Sequence, residues 1–257
     1  MYPSSLSNAQ WNILQPHMPK PSHRGRPRQY SYRLIFDAIF YINRAGCAWN
    51  MMPNDLPPWN TVYYYFRKFK LSGFLQQICA ILRRLARRQV GRTPEPTAAI
   101  IDSQSTKSID QPGVRGYDAN KKVKGRKRHI IVDVEGFLLV AFSHEANIVD
   151  CVGAREVLLR LVEAGFMDVE LIWADQGYRG QLVRWAERAL GLELEISKKS
   201  TFKGGFHIQP RRWVVERTFG WFGKYRRLAK EYEQLPSSSE AMMYLAMTHI
   251  FLKRLTP

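Results

Sequence analysis

The spacing of hydrophobic positions changes near residue 90. Before that point, apolar residues recur every three to four positions, which predicts helices over residues 6–17, 32–44, 60–70 and 73–88. Beyond it, short apolar runs predict strands at residues 97–103, 128–134, 137–144, 169–174 and 192–197. Helical spacing returns over residues 150–164, 181–190, from about 210, and over 241–255. The pattern therefore predicts a helical region followed by an α/β region.

Residues 91–97 separate the two regions. Pro94 and Pro96 forbid helix continuation and favour extended backbone. We therefore predict a helical domain at 1–90, a linker at 91–97 and a second domain at 98–257. In that second domain three strands precede the first helix, an order that matches an RNase H-like layout. The predicted fold class is α/β, an RNase H-like core preceded by a small all-α domain.

Charge is distributed unevenly along the chain. The net charge is +17 and the sequence pI is about 10.0. Residues 1–98 hold 14 Lys and Arg but 3 Asp and Glu, whereas residues 99–257 hold 25 and 19. This asymmetry is typical of a protein that binds a polyanion, with DNA or RNA favoured over a membrane surface. The alternative is a basic protein with no special partner.

Cysteine spacing and the N-terminus narrow the classes of protein further. The three cysteines match no Cys-x-x-Cys spacing, which argues against a disulfide framework and against a structural zinc site. The first residues lack the features of a signal peptide, and no apolar run approaches the length of a membrane span. These features predict a soluble, cytoplasmic protein.

Three acidic residues stand out against the basic background. Asp102 and Asp175 each end a predicted strand, and Glu216 lies in a predicted amphipathic helix. If the two strands are neighbours, as in an RNase H-like fold, the aspartates lie side by side. Clustered carboxylates can hold two Mg²⁺ ions for phosphodiester chemistry, and hard oxygen donors favour Mg²⁺ or Mn²⁺ over zinc.

Each of these acids also has an ordinary interpretation. Asp102 could cap a turn with Ser103, Asp175 could begin a turn at residues 176–177, and Glu216 could pair with Arg212. Asp133, Asp150 and Glu156 are rival ligands for a metal ion. Asp133 fits a hairpin turn and Asp150 a helix N-cap, so we interpret them as structural.

Basic and aromatic residues supply candidate DNA contacts in three places. The loop at 22–28 is rich in arginine, the helix at 60–70 resembles a recognition helix of a helix-turn-helix variant, and a charge run follows the first strand. The candidates are Arg24, Arg26, Arg28, Asn60, Tyr64, Arg67, Lys68, Lys121, Lys122, Lys124, Arg126, Lys127 and Arg128. The alternatives are a core helix whose aromatic residues pack inward and a solvated charge run. Tyr178 and Trp213 are candidates for stacking on a displaced base, with core packing as the alternative for Trp213.

Four segments carry a resemblance to a known family. They are AIIDSQS at 99–105, GYDANKKVKGRKRH at 116–129, WADQGYRG at 173–180 and RWVVERTFGW at 212–221. These motifs resemble those of DDE transposases of bacterial insertion sequences, specifically insertion-sequence family five. Residues 6–85 likewise resemble the helical domain that precedes the catalytic core in that family and binds terminal inverted repeats.

The resemblance implies roles for particular residues. Asp102, Asp175 and Glu216 take the places of the DDE residues, with two Mg²⁺ ions that Mn²⁺ can replace. A related group carries a Tyr, Arg, Glu, Lys signature around the glutamate. Arg212 fits its Arg position, whereas Gln209 and Gly223 depart from the Tyr and Lys positions, with Lys224 beside the latter. Arg212 and Lys224 are carried over as DNA contacts.

The resemblance also implies a function. A DNA transposase would bind the terminal inverted repeats of an insertion sequence and catalyse metal-dependent strand cleavage and strand transfer. Its partners would be double-stranded element ends, target DNA and at least one further copy of the chain, in the bacterial cytoplasm at the nucleoid. The alternatives are a non-transposing RNase H-like endonuclease and a catalytically inactive DNA-binding regulator.

Overall fold

A computed structural model describes residues 2–20, 27–110, 112–197 and 213–257. In its first part the helices are α1 (Asn8–Leu14), α2 (Tyr32–Ala45), α3 (Trp59–Leu71) and α4 (Phe74–Gln89). Ser7 caps α1 by accepting a hydrogen bond from the Gln10 N–H, as its position in the sequence predicts. Gly46 ends α2 in the left-handed region at φ 76°. The predicted helices of this region are confirmed to within a few residues.

The second part alternates strands and helices. Its strands are β1 (Ala98–Lys107), β2 (Gly116–Asp118), β3 (Val123–Asp133), β4 (Leu138–Glu145), β5 (Leu171–Ala174) and β6 (Glu193–Ile196). Its helices are α5 (Asp150–Glu163), α6 (Gln181–Leu190), α7 (Trp213–Gly223), α8 (Arg226–Ala229) and α9 (Pro236–Leu255). The sequence did not predict β2 and α8, because three or four residues are too few to establish a period. Among the described helices, none is long and apolar enough to span a membrane.

The strands form one mixed sheet. β1 pairs antiparallel with β3 and β3 with β4, while β1 runs parallel to β5 and β5 parallel to β6. The short β2 pairs with the first residues of β3. The first strand thus lies between the antiparallel half and the parallel half, which is the RNase H-like arrangement. This confirms the predicted fold class.

Helices cover both faces of the sheet. Alternate residues of a strand point to opposite faces, and Ile100 accordingly packs into a different apolar cluster from Ile101. The Ile101 cluster lies under α5 and α6, and the Ile100 cluster lies under α7, α9 and the N-terminal helices. Because both faces are covered, strand residues are buried irrespective of their alternation.

The N-terminal helices pack on the same apolar core as one face of the sheet. Leu82 of α4 and Met243 of α9 belong to the cluster that contains Ile100. Polar contacts add to this contact surface, because the Arg87 guanidinium of α4 donates to the Asp133 carboxylate at the end of β3. The apolar core therefore continues from the helices before residue 91 into the region after residue 97. The division into domains at 1–90, 91–97 and 98–257 stays a prediction.

Candidate active site and nucleic-acid interface

Asp102 and Asp175 occupy matching positions on neighbouring strands. β1 and β5 are parallel, and Ile100 lies opposite Trp173. The same offset of 73 residues separates Asp102 from Asp175, so the register continued by two residues places the two aspartates across from each other. Adjacent strands lie about 4.8 Å apart. Both side chains are half-buried. The predicted neighbouring of the two strands is confirmed.

Asp175 forms the local turn that the sequence suggested as an alternative, whereas Asp102 does not, because Asp102 and Ser103 lie inside β1. Asp102 Oδ1 accepts from the Ser103 N–H at 2.7 Å, and Asp175 Oδ1 accepts from the Gly177 N–H at 2.8 Å. The second bond caps a 3₁₀ turn at Gln176–Tyr178. A carboxylate has about four lone-pair sites, so the hydrogen bonds to Ser103 and Gly177 do not by themselves fill either carboxylate. These hydrogen bonds orient the carboxylates without excluding a ligand role.

Glu216 lies on the first turn of α7 and is exposed. α7 is fixed against the β3–β4 hairpin, because the Thr218 hydroxyl donates to the Gly136 carbonyl at 2.8 Å. Over residues 2–20, 27–110, 112–197 and 213–257, no group of three or more His, Cys, Asp or Glu side chains is close enough to hold a metal ion. The structure thus brings Asp102 and Asp175 to one sheet edge without a third assembled carboxylate. The metal role of Glu216 stays a prediction.

Asp150 is an acid that the sequence interpretation set aside. It is the first residue of α5 and not its N-cap, which is Val149. Its Oδ1 accepts from the Ser103 hydroxyl at 2.9 Å and from the Lys127 ammonium at 2.9 Å. Its Oδ2 faces the Asp175 turn: a Cβ on Gly177 would lie 3.6 Å from Asp150 Oδ2 and 2.9 Å from Asp175 Oδ1. Asp150 therefore contacts Ser103, the neighbour of Asp102 on β1, and faces the turn that holds Asp175. The Asp at the start of a helix was visible in the sequence, but its partners were not.

Tyr178 is buried beneath the aspartates, with 1% of its surface exposed. Burial raises its pKa well above the ordinary value, the charges of Asp102, Asp150 and Asp175 add to the rise, and the nearby Ser103 side chain opposes it. In the part of the chain that the structure describes, no group meets its hydroxyl with the geometry of a hydrogen bond. The prediction that Tyr178 stacks on a displaced base is wrong for this conformation, because no face of its ring reaches solvent.

Two buried histidines lie beside Tyr178. His129 Nδ1 and His144 Nε2 are 2.9 Å apart. Burial lowers the pKa of both, that of His129 to about 3, so both rings are neutral near pH 7. Gly153 of α5 passes directly over them, and a Cβ there would lie 2.6 Å from His129 Cε1. The glycine therefore permits close packing of α5 on the histidine pair.

The basic run at 121–128 divides into exposed and buried members. Lys121, Lys122 and Lys124 are exposed, and the Lys121 ammonium donates to the Ser103 carbonyl at 3.2 Å. Arg126 and Arg128 are each 2% exposed and donate to backbone carbonyls of residues 228–234 and of residue 114. Arg128 also pairs with the buried Glu231 at 3.1 Å.

The prediction that Arg126, Lys127 and Arg128 contact DNA is therefore wrong for this conformation. These residues lie inside β3 and not in a loop, and both faces of that strand are covered. Lys127 is 5% exposed and pairs with Asp150 and with Asp118. Their cations are bound by acceptors within the protein and have no surface left for a phosphate.

Other candidate DNA contacts lie at the surface. On α3, the side chains of Val62, Phe66 and Phe69 are buried. The inward side of α3 thus packs on the core, as one interpretation predicts. The outward side carries Asn60, Tyr64, Arg67 and Lys68, all exposed, and its role in binding DNA stays a prediction. Arg28, Trp213 and Lys224 are also exposed. Arg24, Arg26 and Arg212 lie outside the described residues.

Two family descriptions match the sequence. "Transposase DDE domain" matches residues 93–251, and "Putative transposase of IS4/5 family" matches residues 6–79. A curated relative, "Putative transposase for insertion sequence element IS402" of Burkholderia cepacia, is 33% identical over 120 residues, which cover 43% of this chain and 54% of the relative. The chain thus spans about half the length of that relative.

Solved structures with some similarity include two complexes of Mos1. The Mos1 Strand Transfer Complex has a TM-score of 0.33 and 13% identity, with 92% of this chain and 79% of that chain covered. A pre-cleavage Mos1 transpososome has a TM-score of 0.32 and 12% identity, with 92% and 80% covered. Scores at this level do not establish a shared arrangement of side chains.

Proposed function

Because the chain belongs to the family of transposases with a DDE domain, we propose that it binds the ends of an insertion sequence and cleaves and joins DNA strands at the Asp102–Asp175 edge of its sheet. The observation that carries this proposal is the register of β1 and β5. It places two carboxylates from distant parts of the sequence at one edge of the sheet. Neither local hydrogen bond requires the two carboxylates to lie together, whereas a bound cation does.

The donor chemistry of this edge fits a divalent metal ion. Asp102 and Asp175 offer oxygen donors, which suit Mg²⁺ or Mn²⁺. Glu216 on α7 is the proposed third donor, and it would complete the set of metal ligands in the complex with DNA. A bound divalent ion would activate a water or a 3′-hydroxyl and stabilise the leaving oxygen.

The protein's own groups prepare this edge. The N–H groups of Ser103 and Gly177 hold one oxygen of each aspartate, which fixes the orientation of the carboxylates. The exposed Lys121 and Lys122 lie in the turn that leads into β3, and the exposed Lys124 is the second residue of β3. The Lys121 ammonium donates to the Ser103 carbonyl, beside Asp102. We assign the three lysines to the DNA backbone, because cations near a phosphodiester position it without reading its sequence.

The outward side of α3 is the proposed surface for the terminal repeats. Tyr64, Arg67 and Lys68 are exposed there while the inward side of the helix packs on the core. An exposed helix face with cations and an aromatic ring suits the major groove of DNA. Pairing two element ends requires at least two copies of the chain, which we propose for the active assembly.

The test is Asp102→Asn, Asp175→Asn and Glu216→Gln in the full-length protein. We expect each variant to bind element ends as the wild type does and to lose Mg²⁺-dependent nicking. Glu163→Gln is the matched control, because Glu163 is exposed at the last residue of α5, about 20 Å along the helix from Asp150. Nicking that persists in an aspartate variant contradicts the assignment of that residue.

The same assay separates the alternative functions. Cleaved ends that become joined to a target plasmid support transposition. Cleavage without joining would indicate a non-transposing nuclease, and binding without cleavage by the wild type would indicate a DNA-binding regulator.

A further inference from the structure

We propose that Asp150 and Lys127 are positioning residues of the active site, an internal ion pair that holds Ser103 beside Asp102 on β1 and sets the charge of the Asp102–Asp175 edge. The inference rests on the proposed function, because it concerns the affinity of that edge for a divalent ion. Neither residue is one of the acids that the family resemblance assigns to the reaction. Both act through neighbouring groups.

The contacts of Asp150 tie three elements together. Its Oδ1 accepts from the hydroxyl of Ser103, the residue whose N–H holds Asp102. Its Oδ2 faces Gly177, the residue whose N–H holds Asp175. Asp150 itself begins α5, so the helix, β1 and the turn after β5 meet at one carboxylate. A side chain that served only to cap α5 would not reach both Ser103 and Gly177.

The contacts of Lys127 fix a cation beneath this carboxylate. The ammonium donates to the Ile148 carbonyl at 2.8 Å, pairs with Asp150 at 2.9 Å and lies 3.6 Å from Asp118. Two of the three ammonium donors thus have acceptors at hydrogen-bond distance, and Asp118 adds a nearby negative charge. The side chain is 6% exposed, so the charge is held in place and little screened by solvent. Lys127 is therefore a resident counterion for the acids of this edge.

The Tyr178 hydroxyl gives an independent indication that this edge receives a ligand. It is buried among Asp102, Asp150 and Asp175, and no described residue meets it with the geometry of a hydrogen bond. The Ser103 side chain lies near the Tyr178 hydroxyl and opposes the rise that burial causes in its pKa, but the Ser103 hydroxyl donates to Asp150. A buried hydroxyl that lacks a well-formed hydrogen bond is costly. A water or phosphate oxygen bound with a metal ion between the aspartates would offer it an acceptor.

Electrostatics predicts effects of opposite sign for the two members of the pair. Asp150→Asn removes a negative charge and leaves the Lys127 cation, so a divalent ion should bind more weakly. Lys127→Met removes the positive charge and leaves the carboxylates, so the ion should bind more tightly. Each shift should be at least about three- to tenfold, the effect of a unit charge roughly 6–12 Å from a divalent ion at the dielectric constant of water, because a buried pair is screened less than that. A merely structural pair would weaken binding in both variants.

The experiment titrates Mn²⁺ into the full-length protein without DNA and follows free Mn²⁺ by electron paramagnetic resonance. The variants are Asp150→Asn, Lys127→Met, the double variant and Asp102→Asn. Asp118→Asn is the matched control, because Asp118 is also a buried partner of Lys127 but lies on β2, where it accepts from the Ser105 hydroxyl. We expect Asp118→Asn to change Mn²⁺ affinity less than Asp150→Asn, and the double variant to return close to wild type.

The outcomes separate this inference from the proposed function. Wild-type protein that takes up no Mn²⁺ overturns this inference, and nicking of element ends by the same protein would show that the proposed function stands. Uptake that Asp102→Asn abolishes, while Asp150→Asn and Lys127→Met leave it unchanged or shift it in the same direction, overturns this inference alone. If Lys127→Met does not fold, the isosteric Asp150→Asn measured against Asp118→Asn decides, and equal effects of those two overturn the inference.

Discussion

The buried ion pair between Arg87 and Asp133 links the N-terminal helices to the sheet, and breaking it should cost much of the stability of the protein. Arg87 of α4 is 4% exposed and Asp133 at the end of β3 is fully buried. Arg87 Nη1 donates to Asp133 Oδ2, and its Nε donates to the Thr93 carbonyl at 2.7 Å. The perturbation is Arg87→Met, which keeps an apolar side chain of similar length and removes the cation.

The magnitude follows from what Arg87→Met leaves behind. Removing one partner of a buried ion pair costs about 3–5 kcal/mol, because the other charge stays buried without compensation. The lost hydrogen bond to Thr93 adds about 1 kcal/mol. The expected loss is therefore about 4–6 kcal/mol, a large part of the roughly 5–15 kcal/mol that stabilises a typical protein.

The assay is urea unfolding followed by circular dichroism for wild type, Arg87→Met, Arg88→Met and the Arg87→Met/Asp133→Asn double variant. Arg88 is the next residue on α4 and is exposed, so its loss should change the free energy of unfolding by less than about 0.5 kcal/mol. The double variant should be more stable than Arg87→Met alone, because no buried charge remains. The amide oxygen that Asp133→Asn introduces can still accept from the backbone N–H groups of Glu135 and Phe137, which Asp133 Oδ1 now binds.

The dependence on pH gives a second check. Burial raises the pKa of Asp133, against the lowering effects of the Phe137 N–H and of Arg87. Without Arg87 the carboxylate is harder to ionise, so the stability gap between Arg87→Met and wild type should narrow as the pH is lowered. A loss equal to that of Arg88→Met, or a gap that widens in acid, would refute the reasoning.

Two further predictions concern DNA binding and histidine. Arg67→Ala and Lys68→Ala on α3 should each weaken binding of element ends and reduce the slope of log affinity against log salt by about 0.9. The buried Arg128 should behave differently, because Arg128→Leu should lower the melting temperature. An unchanged slope in a salt titration of the α3 variants would exclude α3 as the phosphate-contacting surface. Burial lowers the pKa of His249 to about 3, and its ring stacks on Phe40 at 4.7 Å. Below pH 6.5 the unfolded chain therefore binds more protons at His249 than the folded protein does. The free energy of unfolding should fall by up to about 1.4 kcal/mol per pH unit between pH 6.5 and 3. Unfolding measured at several pH values should show a flatter dependence for His249→Gln than for wild type, with His17→Gln as the control.

Much of the fold could be predicted because the sheet has a clear apolar signal. Ile100, Ile101, Ile131 and Ile172 mark strands that are covered on both sides, and they produced short apolar runs. The order of strands and helices then led to the RNase H-like arrangement and to the pairing of Asp102 with Asp175. A continuous apolar run in the sequence is enough to predict a strand that is buried on both faces.

The basic run at 121–128 did not predict its DNA contacts correctly, because β3 carries cations on both of its covered faces. Arg126 and Arg128 point to the segment at 228–234, whereas Lys127 and His129 point to α5. Most partners of these side chains lie between about 20 and 110 residues away in sequence, and even nearer ones such as Val114 and Asp118 lie outside β3. No local pattern shows that a cation has an internal acceptor at that separation. The contacts of Asp150 were missed for the same reason, since its partners Ser103 and Lys127 lie on β1 and β3.

The most direct test of the central claim is the position of a metal ion in the protein bound to an element end. Crystals grown with Mn²⁺ and measured at the manganese absorption edge would locate the ion by its anomalous signal. We predict a peak at about 2.1–2.2 Å from carboxylate oxygens of both Asp102 and Asp175, with Glu216 within reach of the same or a second ion. Manganese bound to the complex but distant from both aspartates would contradict the account.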